Sequence, residues 1–360
     1  MAQSNDIFGM LDLMDRPGFC VKDQKIVKVN SAAQLRMLTP GEDIAPLLHT
    51  GNAEYSEFTG GCLYLTLKIA DQIWGASVTR MGDTDVFLLE QEEDQTELRA
   101  MALAALELRE PLTSVMTIAD DLLPAAAEQV SDEAMEKVAR LNRGLYQMLR
   151  IIFNMSDASR YTAAAAPTET RNVCALLEDV FNSASGLISQ AGLNFNFTNY
   201  PQPIFCVADK EKLERAVLNI LSNAIKFTPA GGTIDAKLAK KGNLLVLTVQ
   251  DSGEGVTDSL KGSIFNRFRR IPTIEDGRFG IGLGMVLIRS AAAQHGGTVL
   301  VDQPENQGIR VTMTMAIREN KQSVVRSPLI RVDYAGGRDH RLIELSDSLP
   351  ATAFDCSKSN

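Results

Sequence analysis

The sequence predicts a multidomain α+β protein, and three observations carry this prediction. Short apolar runs rich in β-branched residues fill residues 1–90 and are typical of strands. Residues 91–160 repeat apolar positions at intervals of three and four, which predicts two long helices. Residues 170–318 alternate helix-like and strand-like segments, as in an α/β sandwich, and carry three polar or glycine-rich boxes. Residues 319–360 form a polar tail.

Residues 1–90 are predicted to form a small strand-rich domain. Strand, turn and strand from Gly18 to Val29 are followed by Asn30-Ser31-Ala32-Ala33, and this stretch resembles the opening of a PAS-type sensory domain. The resemblance implies a sensory role, but the sequence names no ligand. The predicted elements are strands at Gly18–Val21, Lys25–Val29, Gly61–Ile69, Gln72–Thr79 and Asp85–Leu89, with a short helix near Ser31–Met37.

Residues 91–160 are predicted to form a helical hairpin with a break at Pro124–Ser131. Each helix has an apolar seam at heptad spacing, and a single hairpin has too little core to bury both seams. Pairing two hairpins into a dimeric four-helix bundle would bury them. The seams are Met101, Ala105, Leu108, Leu112, Val115, Ala119 and Leu122 in the first helix, and Ala134, Val138, Leu141, Leu145, Met148, Ile152 and Met155 in the second.

The first box, Asn219–Lys226, lies in a segment with helical periodicity. Asn219, Asn223 and Lys226 are four and three residues apart and are predicted to share one helix face. An amide oxygen is a neutral, hard ligand that suits Mg²⁺, and a lysine one turn further on can meet phosphate. The alternative is that the two asparagines only solvate an exposed face.

The second and third boxes are rich in glycine. Asp251 ends the strand-like run Leu244–Val249, and a carboxylate there can accept a hydrogen bond from an exocyclic amine such as that of adenine. Gly253 and Gly255 let the backbone turn and approach a ligand closely. The third box has Gly280, Gly282 and Gly284 ahead of a helix-like run, and a helix N-terminus suits phosphate. A plain turn and a flexible loop are the alternatives for these two boxes.

Taken together, residues 170–318 resemble the ATP-binding catalytic domain of two-component sensor histidine kinases, in the GHKL class shared with gyrase, Hsp90 and MutL. The three boxes match in order and separation, and Ile264–Arg270 resembles the family's phenylalanine box. The resemblance implies that the cofactors are ATP and Mg²⁺. It also implies residue roles: Asn223 binds the metal with Asn219 assisting, Lys226 faces the phosphates, Asp251 binds adenine, Gly253 and Gly255 line the nucleotide, Gly280, Gly282 and Gly284 belong to a mobile lid, and Arg267 contacts the lid or the γ-phosphate.

The residue at position 219 separates two branches of this class. Hydrolytic relatives have a glutamate at this place that activates water, whereas this chain has Asn219. The resemblance therefore favours phosphotransfer or simple ATP binding over rapid hydrolysis.

The predicted hairpin resembles the family's dimerisation and phosphotransfer domain, but its phosphoacceptor is missing. In the family a histidine precedes Glu-Leu-Arg-Thr-Pro-Leu, and here Leu106 precedes Glu107-Leu108-Arg109-Glu110-Pro111-Leu112. The heptad count places Leu106 on the outer surface, where a hydrocarbon side chain offers no nucleophile. Glu107, which in the family helps to move the histidine proton, is then a vestigial acid/base.

Three functions compete at this point. The chain is a protein histidine kinase by family, but Leu106 opposes autophosphorylation and favours a regulatory pseudokinase that binds Mg–ATP. The alternatives are an active sensor kinase that uses another acceptor or acts in trans, and a slow ATPase. A homodimer or heterodimer through the hairpin and a response regulator are the expected partners.

Composition narrows the setting of this function. A net charge of −9 argues against a nucleic-acid partner. No apolar run reaches the roughly 18–20 residues that a membrane span needs, and the N-terminus lacks signal-peptide features. Five scattered cysteines without a Cys-x-x-Cys motif indicate reduced thiols. We therefore expect a cytoplasmic protein. In the tail, Leu329–Tyr334 and Leu342–Leu345 are predicted to pair as a hairpin.

Overall fold

The computed structural model describes residues 8–90, 93–127, 132–163, 169–255, 283–304, 308–318 and 337–355. The strands are Gly18–Lys22 (β1), Lys25–Val29 (β2), Cys62–Ile69 (β3), Gln72–Met81 (β4), Thr84–Leu89 (β5), Thr170–Asn172 (β6), Asn194–Thr198 (β7), Phe205–Val207 (β8), Thr233–Lys241 (β9), Leu244–Asp251 (β10), Val299–Asp302 (β11) and Arg310–Ala316 (β12). The α-helices are Ser31–Gln34 (α1), Asn52–Ser56 (α2), Glu93–Ala127 (α3), Asp132–Ala163 (α4), Val173–Gln190 (α5), Lys210–Phe227 (α6), Gly284–Gln294 (α7) and His340–Glu344 (α8).

The N-terminal part is a five-stranded antiparallel sheet in the order β2-β1-β5-β4-β3, so the five predicted strands are confirmed. Its core centres on Phe19 and Phe87, whose rings stack 4.7 Å apart. The Asn30 side chain accepts hydrogen bonds from the backbone of Ala33 and Gly18, and it thereby joins the start of α1 to the start of β1. The predicted helix to Met37 ends earlier, because Met37 adopts a left-handed backbone with φ of 65°.

The two long helices of the hairpin, α3 and α4, form as predicted, although α3 continues past Pro124 to Ala127. The structure divides the predicted seams in two. Ala105, Leu112, Leu145 and Ile152 are buried between the helices, together with Met116, Leu149 and Phe153. Four further seam residues have side chains that are about half exposed to solvent: Leu108, Val115, Leu141 and Met148.

The C-terminal part has an α/β sandwich architecture. Its strands β11, β12, β10, β9 and β7 lie side by side, and only the β7–β9 pair is parallel. The central strand β10 has the burial pattern of a one-sided sheet, in which Leu245, Leu247 and Val249 alternate toward the core. Helices α5, α6 and α7 contribute apolar residues to the same core. Each of these buried aliphatic side chains stabilises the fold by about 1.5–3 kcal/mol relative to an exposed position.

Strand pairing joins the N-terminal and C-terminal parts into one ten-stranded sheet. Strand β3 pairs antiparallel with β11, with Tyr64 opposite Val299 and Cys62 opposite Val301. An ion pair of 2.5 Å between Arg289 of α7 and Glu90 lies beside this junction, and the Arg289 guanidinium lies over the Tyr64 ring. The N-terminal part therefore shares both backbone hydrogen bonds and a salt bridge with the C-terminal α/β part.

The tail differs from the predicted hairpin. Residues 342–345, expected as a strand, lie in and directly after the short helix α8, and the first predicted strand at 329–334 lies outside the described residues. Asp339 caps α8 by accepting a hydrogen bond from the Arg341 backbone. Ile343 and Leu345 are both buried, which a solvated two-stranded hairpin would not achieve.

Among the helices of the described residues, none is long and apolar enough to cross a membrane.

Candidate functional site

Helix α6 carries the first box and divides it between two environments. The side chain of Asp209 caps its N-terminus by accepting from the Lys212 backbone, and an apolar stripe packs α6 into the core. Asn219 is buried at 1% exposure, whereas Asn223 and Lys226 are only partly buried. The three residues share a general helix face, as the spacing indicated, but Asn219 is turned into the protein.

Both ends of the Asn219 amide are bound by other residues of the chain. Its oxygen accepts a hydrogen bond of 3.0 Å from Nη2 of Arg150, which belongs to the hairpin helix α4. Its nitrogen donates to the Arg215 carbonyl at 2.8 Å and to Oε2 of Glu344 at 3.1 Å. The residue expected to assist the metal is thus held in a buried polar cluster.

Asn223 lies beside the start of helix α7. Its amide nitrogen donates to the Met285 sulfur at 3.7 Å, and Lys226 lies in the last turn of α6. Because an amide nitrogen that faces sulfur leaves the amide oxygen on the other side, Asn223 can offer that oxygen to a ligand. Of the two asparagines, Asn223 is the one with access to solvent.

Asp251 ends β10 as a buried carboxylate. Its Oδ1 accepts hydrogen bonds from the backbone of Gly253 at 2.9 Å and Ile309 at 3.1 Å, which fix the orientation of the group. Burial raises the pKa of Asp251 above its ordinary value, and these two hydrogen bonds oppose that shift. Since both bonds end on Oδ1, Oδ2 is the atom that can accept from a base amine.

Two glycines of the second and third boxes are required by close packing. A Cβ on Gly253 would lie 2.3 Å from the Phe227 carbonyl, and a Cβ on Gly284 would lie 3.0 Å from Oδ1 of Asn219. Gly255 has a φ of 83°, which side chains rarely adopt. Helix α7 begins at Gly284 without a side-chain cap, and Gly284 lies close to Asn219 of the first box. Gly280, Gly282 and Arg267 lie outside the described residues.

The hairpin presents position 106 as the heptad count predicted. Leu106 is 53% exposed, next to Ala105, which is fully buried against α4. Glu107 follows on the exposed side, and Arg109 lies over the Phe153 ring one turn further on. Phe153 lies one turn from Arg150 on α4, and Arg150 is a hairpin residue that contacts Asn219.

Sequence reasoning missed the four charged residues of the buried cluster: Arg150, Arg215, Glu344 and Asp347. Arg150 donates to Asp347 at 2.7 Å, and Nε of Arg215 donates to Glu344 at 2.6 Å with both side chains fully buried. The residues come from three distant segments, and no spacing in the sequence connects them. The only local signal is Glu344 between the apolar residues Ile343 and Leu345.

His295, the first residue of the run His295-Gly296-Gly297, has a structural role. One ring nitrogen lies 2.7 Å from the Ala291 carbonyl, and the other accepts from the Asp209 backbone at 3.0 Å. This pattern requires the neutral ring with the proton on Nδ1, and burial lowers the pKa of His295 accordingly. His295 therefore ties the end of α7 to the start of α6.

Comparison with known proteins relates this chain to histidine kinases and similar ATPases. The family of histidine kinase-, DNA gyrase B- and HSP90-like ATPases matches residues 208–319. The hybrid signal transduction histidine kinase D of Dictyostelium discoideum is 29% identical over 240 residues, which are 64% of this chain and 15% of that protein. Sensor protein KdpD of Clostridium acetobutylicum is 28% identical over 231 residues, 60% of this chain and 25% of that protein. The chain thus spans a quarter or less of these two curated relatives.

Among solved structures, full-length ShkA in complex with AMPPNP matches with a TM-score of 0.49 and 24% identity. The match covers 62% of this chain and 47% of that one.

Proposed function

We propose that this chain, which belongs to the histidine kinase family, binds Mg–ATP and acts as a regulatory pseudokinase in a two-component pathway in the cytoplasm. In this proposal it signals through its conformation and its partners, without autophosphorylation at the usual site. The observation that carries the proposal is the exposed hydrocarbon side chain of Leu106, which the sequence resemblance aligns with the family's phosphoacceptor histidine.

The nucleotide site fits this proposal at its adenine end. Asp251 is held by two backbone hydrogen bonds to one oxygen, so the other oxygen can accept a hydrogen bond from the adenine amine. A buried carboxylate that is already oriented loses little entropy when it binds a ligand. Gly253 follows Asp251 closely in the chain, and any side chain at this position would collide with the Phe227 carbonyl.

At the proposed phosphate end, Lys226 lies in the last turn of α6 and Asn223 lies beside the uncapped start of α7. The N–H groups of that helix suit phosphate oxygens, and the Lys226 ammonium group adds a positive charge. The described residues hold no group of three or more acidic, histidine or cysteine side chains that could hold a metal. A magnesium ion would therefore take most of its oxygen ligands from phosphates and water, with the Asn223 amide oxygen from the protein.

The hairpin offers a surface for a second hairpin. Leu108, Val115, Leu141 and Met148 each lie seven residues from another member of the same helix and are 46–55% exposed. Spacing of seven places such residues in one stripe per helix, which is the pattern that a four-helix bundle buries. We infer a homodimer, or a heterodimer with a competent kinase, together with a response regulator as the downstream partner.

The deciding experiment measures Mg–ATP binding and phosphorylation on the same preparation. Calorimetric titration should detect Mg–ATP binding, and binding should be lost in Asn223→Ala but kept in Asn196→Ala, an exposed asparagine on β7. Incubation with labelled ATP should produce no acid-labile phosphoprotein. Labelling of the wild type, alone or with a response regulator, would instead support an active kinase that uses another acceptor. Steady phosphate release would support the slow ATPase.

A further inference from the structure

The described end of the chain, Gly337–Asp355, bridges the hairpin and the nucleotide domain; we call it the C-terminal clamp. Ile343 is fully buried in the core between α3 and α4. Three more apolar residues of the clamp, Leu345, Leu349 and Phe354, belong to the core of the nucleotide domain. One short segment therefore contributes to two cores.

Hydrogen bonds from the second hairpin helix, α4, also hold the clamp. Arg143 donates to the carbonyls of Ser346 and Asp347, and Gln147 also donates to Ser346. Asn142 donates to the Phe354 carbonyl at 3.0 Å. These are backbone carbonyls of the clamp, so the contacts depend on its path and not only on its side chains.

Two acidic residues of the clamp act on Asn219 of the first box, one directly and one through Arg150. Glu344 receives hydrogen bonds from Arg215 and from the amide nitrogen of Asn219, and Asp347 holds Arg150. Arg150 in turn donates to the amide oxygen of Asn219. The clamp thus engages Asn219 directly at one end of its amide and through Arg150 at the other.

This arrangement opposes a metal ion at Asn219. Magnesium keeps several of its waters, and a side chain with 1% exposure leaves no room for them. A guanidinium hydrogen-bonded to the same amide oxygen adds a positive charge next to any cation there, and charge repulsion is strong in a buried site. Asn219 can meet the metal only after Arg150 has moved away.

We propose that the C-terminal clamp withholds Asn219 from Mg–ATP and fastens the nucleotide domain to the hairpin, so that full Mg–ATP binding and clamp closure oppose each other. The proposal rests on the proposed function, since it requires an Mg–ATP site. By reciprocity, Mg–ATP loosens the clamp as much as the clamp weakens Mg–ATP. Nucleotide would then control whether the hairpin and the nucleotide domain move together.

The test uses an engineered disulfide between the clamp and α6, and compares the oxidised and reduced forms of the same protein. The hydroxyl oxygens of Ser222 on α6 and Ser348 in the clamp are 3.4 Å apart, so cysteines at these two positions would have their sulfur atoms side by side. The variant is Ser222→Cys/Ser348→Cys in full-length chain with Cys356→Ser. The native cysteines Cys20, Cys62, Cys174 and Cys206 are buried and should not react. The two single-cysteine variants, treated with the same oxidant, are the controls.

The oxidised double variant should bind Mg–ATP at least about tenfold more weakly than after reduction, within the usual range of such coupling, and the single variants should not respond to oxidant. Equal affinity of the two forms would overturn the clamp and leave Mg–ATP binding intact. If the double variant binds in neither form, Arg150→Ala decides. Binding by Arg150→Ala would support the clamp, and failure of every variant to bind would overturn both proposals.

A second readout needs no variant. In the wild type, amide hydrogens of Ile343–Leu349 should exchange faster when Mg–ATP is added, because release of the clamp exposes them. Unchanged or slower exchange in the presence of saturating Mg–ATP would contradict the proposal.

Discussion

Nη2 of Arg150 donates a hydrogen bond across 3.0 Å to the amide oxygen of Asn219, and so joins the second hairpin helix to the first box of the nucleotide domain. In the middle of α7, Arg289 pairs with Glu90, which directly follows the last strand of the N-terminal part. The C-terminal α/β part is thus contacted by the hairpin at Asn219 and by the N-terminal sheet at Arg289.

The buried pair of Arg215 and Glu344 should make the clamp costly to disturb. Glu344→Gln removes the carboxylate that pairs with the fully buried Arg215, and breaking such a buried pair by removing one partner typically costs about 3–5 kcal/mol of unfolding free energy. Urea denaturation followed by circular dichroism measures this loss. Glu133→Gln, which removes an exposed partner of Lys137, should change stability by no more than about 0.5 kcal/mol. Equal effects of the two substitutions would mean that the buried pair does not form in solution.

Restoring a histidine at the phosphoacceptor position should restore labelling. Leu106→His places an imidazole at an exposed site, next to the retained Glu107 and Arg109. We expect an acid-labile phosphoprotein with labelled ATP in this variant and none in the wild type. Leu103→His is the matched control, because Leu103 lies on the same helix and is also exposed. Labelling of both histidine variants would show nonspecific transfer.

The strands and long helices were predictable because each has a regular pattern. The alternation of Leu245, Leu247 and Val249 repeats every two residues, and burial in the structure follows it. The heptad seams predicted two helices but not which seam residues are buried within one hairpin. Ala105 and Leu108 look alike in a heptad, and only the packing of α3 on α4 decides that Leu108 stays exposed.

The clamp and the buried cluster could not be predicted from the sequence. Asn219 and Glu344 are 125 residues apart, and a contact between them depends on the full tertiary fold. The run Leu342–Leu345 looks like a strand because apolar residues stand on both sides of a single charged residue. A local pattern cannot show that this residue, Glu344, pairs with the buried Arg215. Likewise, nothing in Cys62–Ile69 alone indicates that this strand pairs with Val299–Asp302.

The sheet junction should depend on Gly61. This residue has a φ of 90°, and a Cβ there would lie 2.5 Å from the Val301 carbonyl. Gly61→Ala should therefore push β3 away from β11 and increase hydrogen exchange at Val299–Val301. Gly60→Ala is the control, because Gly60 has open space around it and no left-handed backbone. Unchanged protection in Gly61→Ala would mean that the two strands are not paired in solution.

Asp251→Asn should separate stability from nucleotide binding. Burial raises the pKa of Asp251 above its ordinary value of 3.8, so the folded chain favours the neutral carboxyl. Below that ordinary value the side chain is neutral in both the folded and the unfolded chain, and burial costs no charge. As pH rises through the raised pKa the folded chain must bury a carboxylate, and stability is lost. An asparagine does not ionise, and its oxygen can still accept from Gly253 and Ile309. The unfolding free energy of Asp251→Asn minus that of the wild type should therefore increase between about pH 4 and pH 7 in urea titrations.

In the same Asp251→Asn variant, Mg–ATP affinity should fall about tenfold or more, because a charge-assisted hydrogen bond to the base amine is lost. Asp235→Asn, an acceptor for the exposed Asn196 on the neighbouring strand, should change neither quantity. A Asp251→Asn protein that is less stable at pH 7 and binds Mg–ATP normally would show that this carboxylate supports the fold and not the nucleotide.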